Sequence, residues 1–278
     1  MKINISKACN WFNLLAIATL LVVSGCKKEE QKEVTKPKQA QTEKQQCEAG
    51  NFKICLKLGK DYLDGSLSVS RNLDQAQHYL ELSCNSGDAT GCYHLGRVHT
   101  LFRNEHGYEQ ALSLFNKSCK RQEMDACVAL GNLHYNGQGT RRDDNSAKEL
   151  FQKACDAKNM NGCYHLGILN EKGHGLPRNY ENAKRIYEEV CESGEGSGCN
   201  ALGLLYQHGK GVPKDFELAK KYYDIACNKK HTLGCYNAGF MYYNGIGAEN
   251  SDEETAKKYF NLGCKLEGKK HCNIQDKI

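Results

Sequence analysis

The sequence predicts an all-α fold, an α/α solenoid of about six stacked helical hairpins. Three observations carry that reading. Cysteine pairs eight residues apart recur at a period near 36; the second cysteine of each of the first six pairs is followed by a leucine or alanine and then a glycine at helical spacing; and an alanine stands eight residues before the next pair. The pairs are Cys47/Cys55, Cys84/Cys92, Cys119/Cys127, Cys155/Cys163, Cys191/Cys199, Cys227/Cys235 and Cys264/Cys272, with steps of 37, 35, 36, 36, 36 and 37 residues between first members. Self-similarity at such a period marks a solenoid, in which one supersecondary unit stacks on the next.

The chain opens with Lys2 and Lys7 and no acid, then the mostly apolar run WFNLLAIATLLVV, then small residues before Cys26. That order predicts a secretory signal over residues 1–25, since about thirteen apolar residues are too few to span a bilayer. The end of the run, Val23-Ser24-Gly25-Cys26, resembles a bacterial lipobox, which implies lipidation of Cys26 and anchoring in a bacterial envelope membrane. Lys27 in the next place suits the outer membrane, facing periplasm or exterior. Of 16 cysteines, Cys9 would leave with the signal and Cys26 would be acylated, so the remaining fourteen form seven pairs, as an oxidising compartment allows.

Residues 26–46 are polar, rich in Lys, Glu and Gln and nearly free of large apolar side chains. Such a segment buries too little surface to fold alone and is expected to be a disordered tether. It holds six Lys against four Glu. With Lys2 and Lys7, it leaves about one unit of the net +5 charge to the repeats. A near-neutral array offers no electrostatic ground for a nucleic-acid partner.

Residues 47–264 divide into six repeats. In the first helix of each, places zero, three, four and seven from the second cysteine form one apolar face, with Gly59, Gly96, Gly131, Gly167, Gly203 and Gly239 at place four letting another helix approach closely. Glycine-bearing loops such as NGQG, KGHG, HGKG and NGIG end it. Asn179, Asp215 and Asp252 are suited to cap the second helix. That helix carries Ala76, Ala111, Ala147, Ala183, Ala219 or Ala256, with an aromatic or leucine four residues on.

Were CDAKNMNGC one straight helix, its cysteines would stand roughly 12 Å apart, beyond the 4.4–6.8 Å Cα separation of a disulfide. The chain must therefore turn back between Cys155 and Met160, so that each pair staples the end of one repeat to the start of the next. A loop of about eight residues closed in this way contributes on the order of 2–3 kcal/mol on the chain-entropy model. Metal-site and redox-catalytic readings lack the two- to four-residue spacing they require, and no cofactor is expected. Residues 265–278 supply a C-terminal cap pinned by Cys272.

The leucine-glycine step, paired glycines and alanine-led second helix resemble Sel1-like repeats, relatives of the tetratricopeptide repeat. With a cysteine pair in every unit, residues 47–278 resemble the Helicobacter cysteine-rich protein group. The resemblance implies a right-handed superhelix, export, and binding of a protein or peptide partner. It also implies penicillin binding with weak β-lactamase activity, which gives the alternative function, a penicillin-binding hydrolase, and the alternative partner, a β-lactam or peptidoglycan-related ligand. The residues do not support the chemistry: the sole S-x-x-K is Ser24 to Lys27, and neither K-T-G nor S-D-N occurs. The second unit departs from the pattern, running RVHTLFRNEHG after Gly96.

Histidines recur at equivalent places, His94 with His165 and His99 with His134. Ligation would need them to converge across repeats about 10 Å apart, so packed or surface histidines are the simpler expectation. For the binding surface, first helices of helical-hairpin solenoids line the concave side. The flanking places one, five and eight after the second cysteine are the candidates: Tyr93, Arg97 and Thr100; Val128, Asn132 and Tyr135; Tyr164, Ile168 and Glu171; Asn200, Leu204 and Gln207; Tyr236, Phe240 and Tyr243. Tyrosine, asparagine and apolar groups suit a peptide groove. The change from Arg97 and Asn132 to Ile168, Leu204 and Phe240 predicts an apolar pocket toward the C-terminal end.

Overall fold

The computed structural model describes residues 41–66, 69–247 and 250–268. The signal, Cys26 with most of the tether, and Cys272 with most of the cap lie outside them. Among the described residues there are thirteen helices and no strand. A short α1 (41–48) is followed by α2 (Phe52–Asp64), α3 (Leu73–Asn85), α4 (Ala89–Thr100), α5 (Glu105–Lys120), α6 (Met124–Asn136), α7 (Asp144–Asp156) and α8 (Met160–Lys172). Then come α9 (Tyr180–Glu192), α10 (Gly196–His208), α11 (Phe216–Asn228), α12 (Thr232–Tyr243) and α13 (Glu253–Leu266). Each helix packs on its neighbours in sequence, and first helices also touch across repeats, α2 on α4, α6 on α8 and α10 on α12.

α1 corrects the expected boundary of the tether. Residues 41–46 are helical rather than disordered, because contacts to the array supply what their composition lacks. Glu43 pairs with Lys57, Lys44 lies 5.5 Å from the Tyr62 ring centroid, and Cys47 closes a disulfide to Cys55 on α2.

Six of the expected disulfides are formed within the described residues, with Cα separations from 4.4 to 4.9 Å. They join Cys47 to Cys55, Cys84 to Cys92, Cys119 to Cys127, Cys155 to Cys163, Cys191 to Cys199 and Cys227 to Cys235. The place of the second cysteines on the apolar face of the first helices, read from the periodicity, is also observed. Cys55, Cys92, Cys127, Cys163, Cys199 and Cys235, the second members of the pairs, are all at 0% exposure. Each opens the apolar stripe of a first helix, where the preceding second helix covers it, so its sulfur is core as well as cross-link. These six therefore present nothing to a ligand.

The corner between α7 and α8 shows how the pairs close. Lys158 adopts φ 62°, its N–H donates to the Cys155 carbonyl at 2.8 Å, and Asn159 N–H donates to the Ala154 carbonyl at 2.9 Å. The Asn159 side chain then accepts from Gly162 N–H to cap α8. Asn179, Asp215 and Asp252 cap α9, α11 and α13 in the same way, as read from the sequence.

The core runs along the array between facing helix stripes. The repeat alanines are sealed in it, Ala76, Ala111, Ala147, Ala183 and Ala219 at 0% exposure. The first-helix stripe is wider than the periodicity alone suggests. Place six is fully buried at Val98, Leu169, Leu205 and Met241, while Tyr206 and Tyr242 at place seven are half-buried. Each first helix is flanked by its own second helix and by the preceding hairpin, so two adjacent faces are covered. The aberrant second unit simply has a shorter connection, Leu101 to Asn104, turned by Arg103 at φ 53°.

Candidate ligand-binding face

The three rows of residues expected to form a groove fare differently. At place one, Tyr93, Tyr164 and Tyr236 lean against second-helix aromatics of their own hairpins, with ring centroids 5.9 Å from Phe115, 5.9 Å from Tyr187 and 6.4 Å from Phe260. Val128 and Asn200 are buried, at 7% and 4% exposure. Asn200 accepts from the Asn237 amide at 2.8 Å, tying α10 to α12. This row is therefore corrected: at Val128 and Asn200 it serves packing between helices, because contact across repeats covers it.

At place eight, Tyr135 and Glu171 reach the following repeat. The Tyr135 hydroxyl lies 3.2 Å from Lys172 Nζ and 3.1 Å from His174 Nδ1, with the Arg142 guanidinium 5.3 Å from its ring centroid. Glu171 accepts from Lys210 at 2.8 Å and from the Tyr187 hydroxyl at 3.1 Å, and Gln207 accepts from the Tyr223 hydroxyl. Thr100 donates to the Arg97 carbonyl, and Tyr243 is half-buried. Sequence reasoning missed the other members of this network, Lys172 at the end of α8 and Arg142, His174 and Lys210 in the loops. Their signal was a basic residue in or beside the NGQG, KGHG and HGKG loops.

Place five separates into two halves. Arg97 is engaged by Asp64 at 3.4 Å, by His94 Nδ1 at 3.1 Å and by the Tyr93 ring at 6.0 Å. Asn132 lies 3.4 Å from His165 Nε2. Further along, Ile168 is half-buried, Leu204 is 36% exposed and Phe240 is 48% exposed. The expected C-terminal apolar character is present, and it takes the form of an exposed ridge.

The histidines do not converge. His94 is buried beside Arg97, and His165 stacks on Phe151 with centroids 4.9 Å apart. Burial holds both imidazoles down at a pKa of about 4, and in His94 the Arg97 charge adds to it. A carboxylate among aromatics was also missed. Asp224 on α11 accepts from the Tyr242 hydroxyl at 3.1 Å, Tyr242 stacks on Tyr259 at 5.3 Å, and burial pushes the Asp224 pKa up. Ser24 and Lys27 lie outside the described residues. None of the described helices is long and apolar enough to cross a membrane.

The Sel1 repeat profile matches residues 55–88, 125–159, 161–195, 196–231 and 232–267, well over half of the chain. The chain belongs to the Sel1 repeat family. The matched segments pass over 89–124, the unit with the shortened loop. Among solved structures, this Sel1 repeat protein is similar to a protective antigen of uropathogenic Escherichia coli, at 26% identity and TM-score 0.63. The match covers 81% of this chain and 48% of that one, so the chain spans about half the antigen's length. A Sel1 repeat protein from Oxalobacter formigenes shares the fold at 19% identity and TM-score 0.67, covering 77% of this chain and 85% of that one. Helicobacter pylori cysteine rich protein B is 32% identical over 46% of this chain and 91% of its own, with TM-score 0.38. No curated protein matches the chain.

Proposed function

We propose that this Sel1 repeat protein is an envelope-anchored interaction scaffold that binds a peptide or protein through its first helices, on the ridge of Leu204 and Phe240. The observation that carries the reading is the contrast along one row. Arg97 and Asn132 are held by neighbouring repeats, while Leu204 and Phe240 at the same place of α10 and α12 stand 36% and 48% exposed. Ile168, Tyr236 and Tyr243 flank them, half-buried, so a bound segment would meet apolar anchors rimmed by hydroxyls and amides. Disulfides at each corner fix the spacing of the first helices, which lowers the entropy lost on binding. The lipobox-like residues up to Cys26 support the anchoring, and no observation favours the hydrolase alternative.

The test compares the native chain with one carrying Leu204→Ala and Phe240→Ala, both with full disulfide content, in affinity capture from cross-linked envelopes. A partner held by the native chain and lost from the variant supports the scaffold and its ridge. Equal capture by both overturns the assigned face. Anchoring is read separately from membrane fractionation of Cys26→Ser, which should release the protein from the membrane.

A further inference from the structure

The stapling disulfides are not equivalent in their access to solvent. Among the thirteen described cysteines, Cys155 alone is not buried. The other first members of the pairs are 1% exposed at Cys47, 2% at Cys84, 3% at Cys119, 8% at Cys191, 1% at Cys227 and 6% at Cys264, and Cys163, the partner of Cys155, is at 0%.

The cause lies in the next second helix. Six residues after each repeat alanine stands a residue in register with the preceding disulfide: Leu82, Lys117, Lys153, Glu189, Ile225 and Leu262. Lys117 places its ammonium 3.7 Å from Cys84 Sγ, and Lys153 places its own 3.7 Å from Cys119 Sγ while donating to the Cys119 carbonyl at 3.1 Å. Only the fourth unit carries a carboxylate there. Glu189 turns to Lys158, with Nζ to Oε1 at 2.9 Å, and its side chain does not seal the sulfur. What remains is a cleft of about 310 Å³ lined by Cys155 together with Asp156, Lys158, Arg185 and Glu189. That volume is at the lower end of small-ligand sites. Lys158 and Arg185 offset the two carboxylates, so the cleft does not repel an anion.

We propose that Cys155 is a thiol-exchange site, at which a small charged thiol of about tripeptide size forms a reversible mixed disulfide. The thiolate attacks Cys155 Sγ, the bond to Cys163 Sγ breaks, and its electron pair leaves on Cys163, which takes a proton from water. The incoming sulfur is oxidised into the new bond as Cys163 is reduced, so no further oxidant is required. Attack depends on access to the sulfur as much as on the thiol's ionisation, and among the described cysteines only Cys155 is not buried. Cys163 remains on α8, with Cα atoms 4.5 Å apart in the closed pair, placed to expel the thiol and restore the staple. The exchange opens the link between α7 and α8, midway along the array.

The test incubates the folded full chain with reduced glutathione, quenches with acid, alkylates, and maps the adducts by peptide mass. The first adduct should fall on Cys155, with Cys163 recovered as the free thiol, several-fold ahead of any other pair. Glu189→Leu should restore a cover and slow the reaction at Cys155 several-fold. Lys153→Ala should uncover Cys119 and bring an adduct there. Far-UV circular dichroism checks that each variant is folded, and the native map decides even where a variant is not. A first adduct at another cysteine, or equal rates among the pairs, overturns the site. A folded Glu189→Leu protein that reacts at the native rate also overturns it.

Discussion

The ring of Tyr187 on α9 occupies the space a side chain at Gly167 on α8 would need: a Cβ there would lie 2.5 Å from Tyr187 Cε1. The same relation joins Gly96 to Phe115, Gly131 to Phe151 and Gly203 to Tyr223. The glycine four places after the cysteine and the aromatic four places after the alanine are thus two halves of one contact, which sets how closely each hairpin closes. Gly167→Ala is expected to destabilise by about 1–3 kcal/mol through overpacking, and Tyr187→Ala by about 3–5 kcal/mol through the cavity it leaves. Combined, they should cost less than the sum, since both act on one contact. Urea unfolding followed by circular dichroism checks this, and strict additivity would dissolve the pairing.

The corner turns yield a second expectation. The third residue after the first cysteine takes a left-handed conformation in several units, as Gly87 and Gly194 do, yet Gln122 and Lys230 sit there with φ of 68° and 61°. A side chain in that region is strained by roughly 1–2 kcal/mol, partly offset by the greater freedom glycine gives the unfolded chain. Gln122→Gly and Lys230→Gly should each stabilise by about 1 kcal/mol. A fall in melting temperature for either would contradict the strain.

Stability should fall in mild acid. His94 and His165 are held by burial at a pKa of about 4, below the ordinary value near 6.5, so between those values the unfolded chain binds protons that the fold does not. Their contribution is complete above about pH 6.5 and is lost as pH falls toward 4. On the order of 1–2 kcal/mol per histidine is expected to be gone at about pH 5. The groups facing His94 include Arg97 and Lys60, which deepen the effect, and Asp64 and Asp125, which oppose it. His165→Phe keeps a ring against Phe151 and should flatten its share of the pH profile of the melting temperature.

Removing a staple should loosen the array without dissolving it. Replacing Cys227 and Cys235 together with serine is expected to lower stability by about 2–3 kcal/mol, the loop-closure value for a short loop. The helices on either side, α11 and α12, remain packed on each other, so helical content by circular dichroism should be retained at room temperature. Loss of helicity across the whole chain would show that the corners, rather than the hairpins, hold the fold.

The helix order, the caps and six of the seven disulfide pairings were legible because each rests on short-range chemistry. An eight-residue cysteine spacing with no room for a straight helix forces a turn, and Asn179, Asp215 and Asp252 cap where their neighbours place a free N–H. How deeply Cys92, Cys127 and Cys199 are sealed was less legible, since the helix that covers each belongs to the preceding hairpin. The exposure of the candidate rows was only partly legible. Leu204 and Phe240 are exposed as their row predicted. Asn200 at 4% exposure and Glu171, held by Lys210 and Tyr187, were indistinguishable from open surface in sequence, because what covers them comes from other helices of the array. α1 escaped for the same reason: residues 41–46 look like tether until Lys57 and Tyr62 of the array are placed beside them.

By itself, the sequence determined that this chain is a stack of hairpins, with a staple at six corners among the described residues, since period, spacing and helix geometry admit little else. Only the tertiary structure decided which equivalent positions are in fact different. Leu204 and Phe240 stay in water while Arg97 and Asn132 are bound, and Cys155 is half-buried while the other described cysteines are buried. The physical reason is that exposure in a solenoid belongs to the contact between repeats, some 36 residues apart in the chain, and not to the periodic pattern within one.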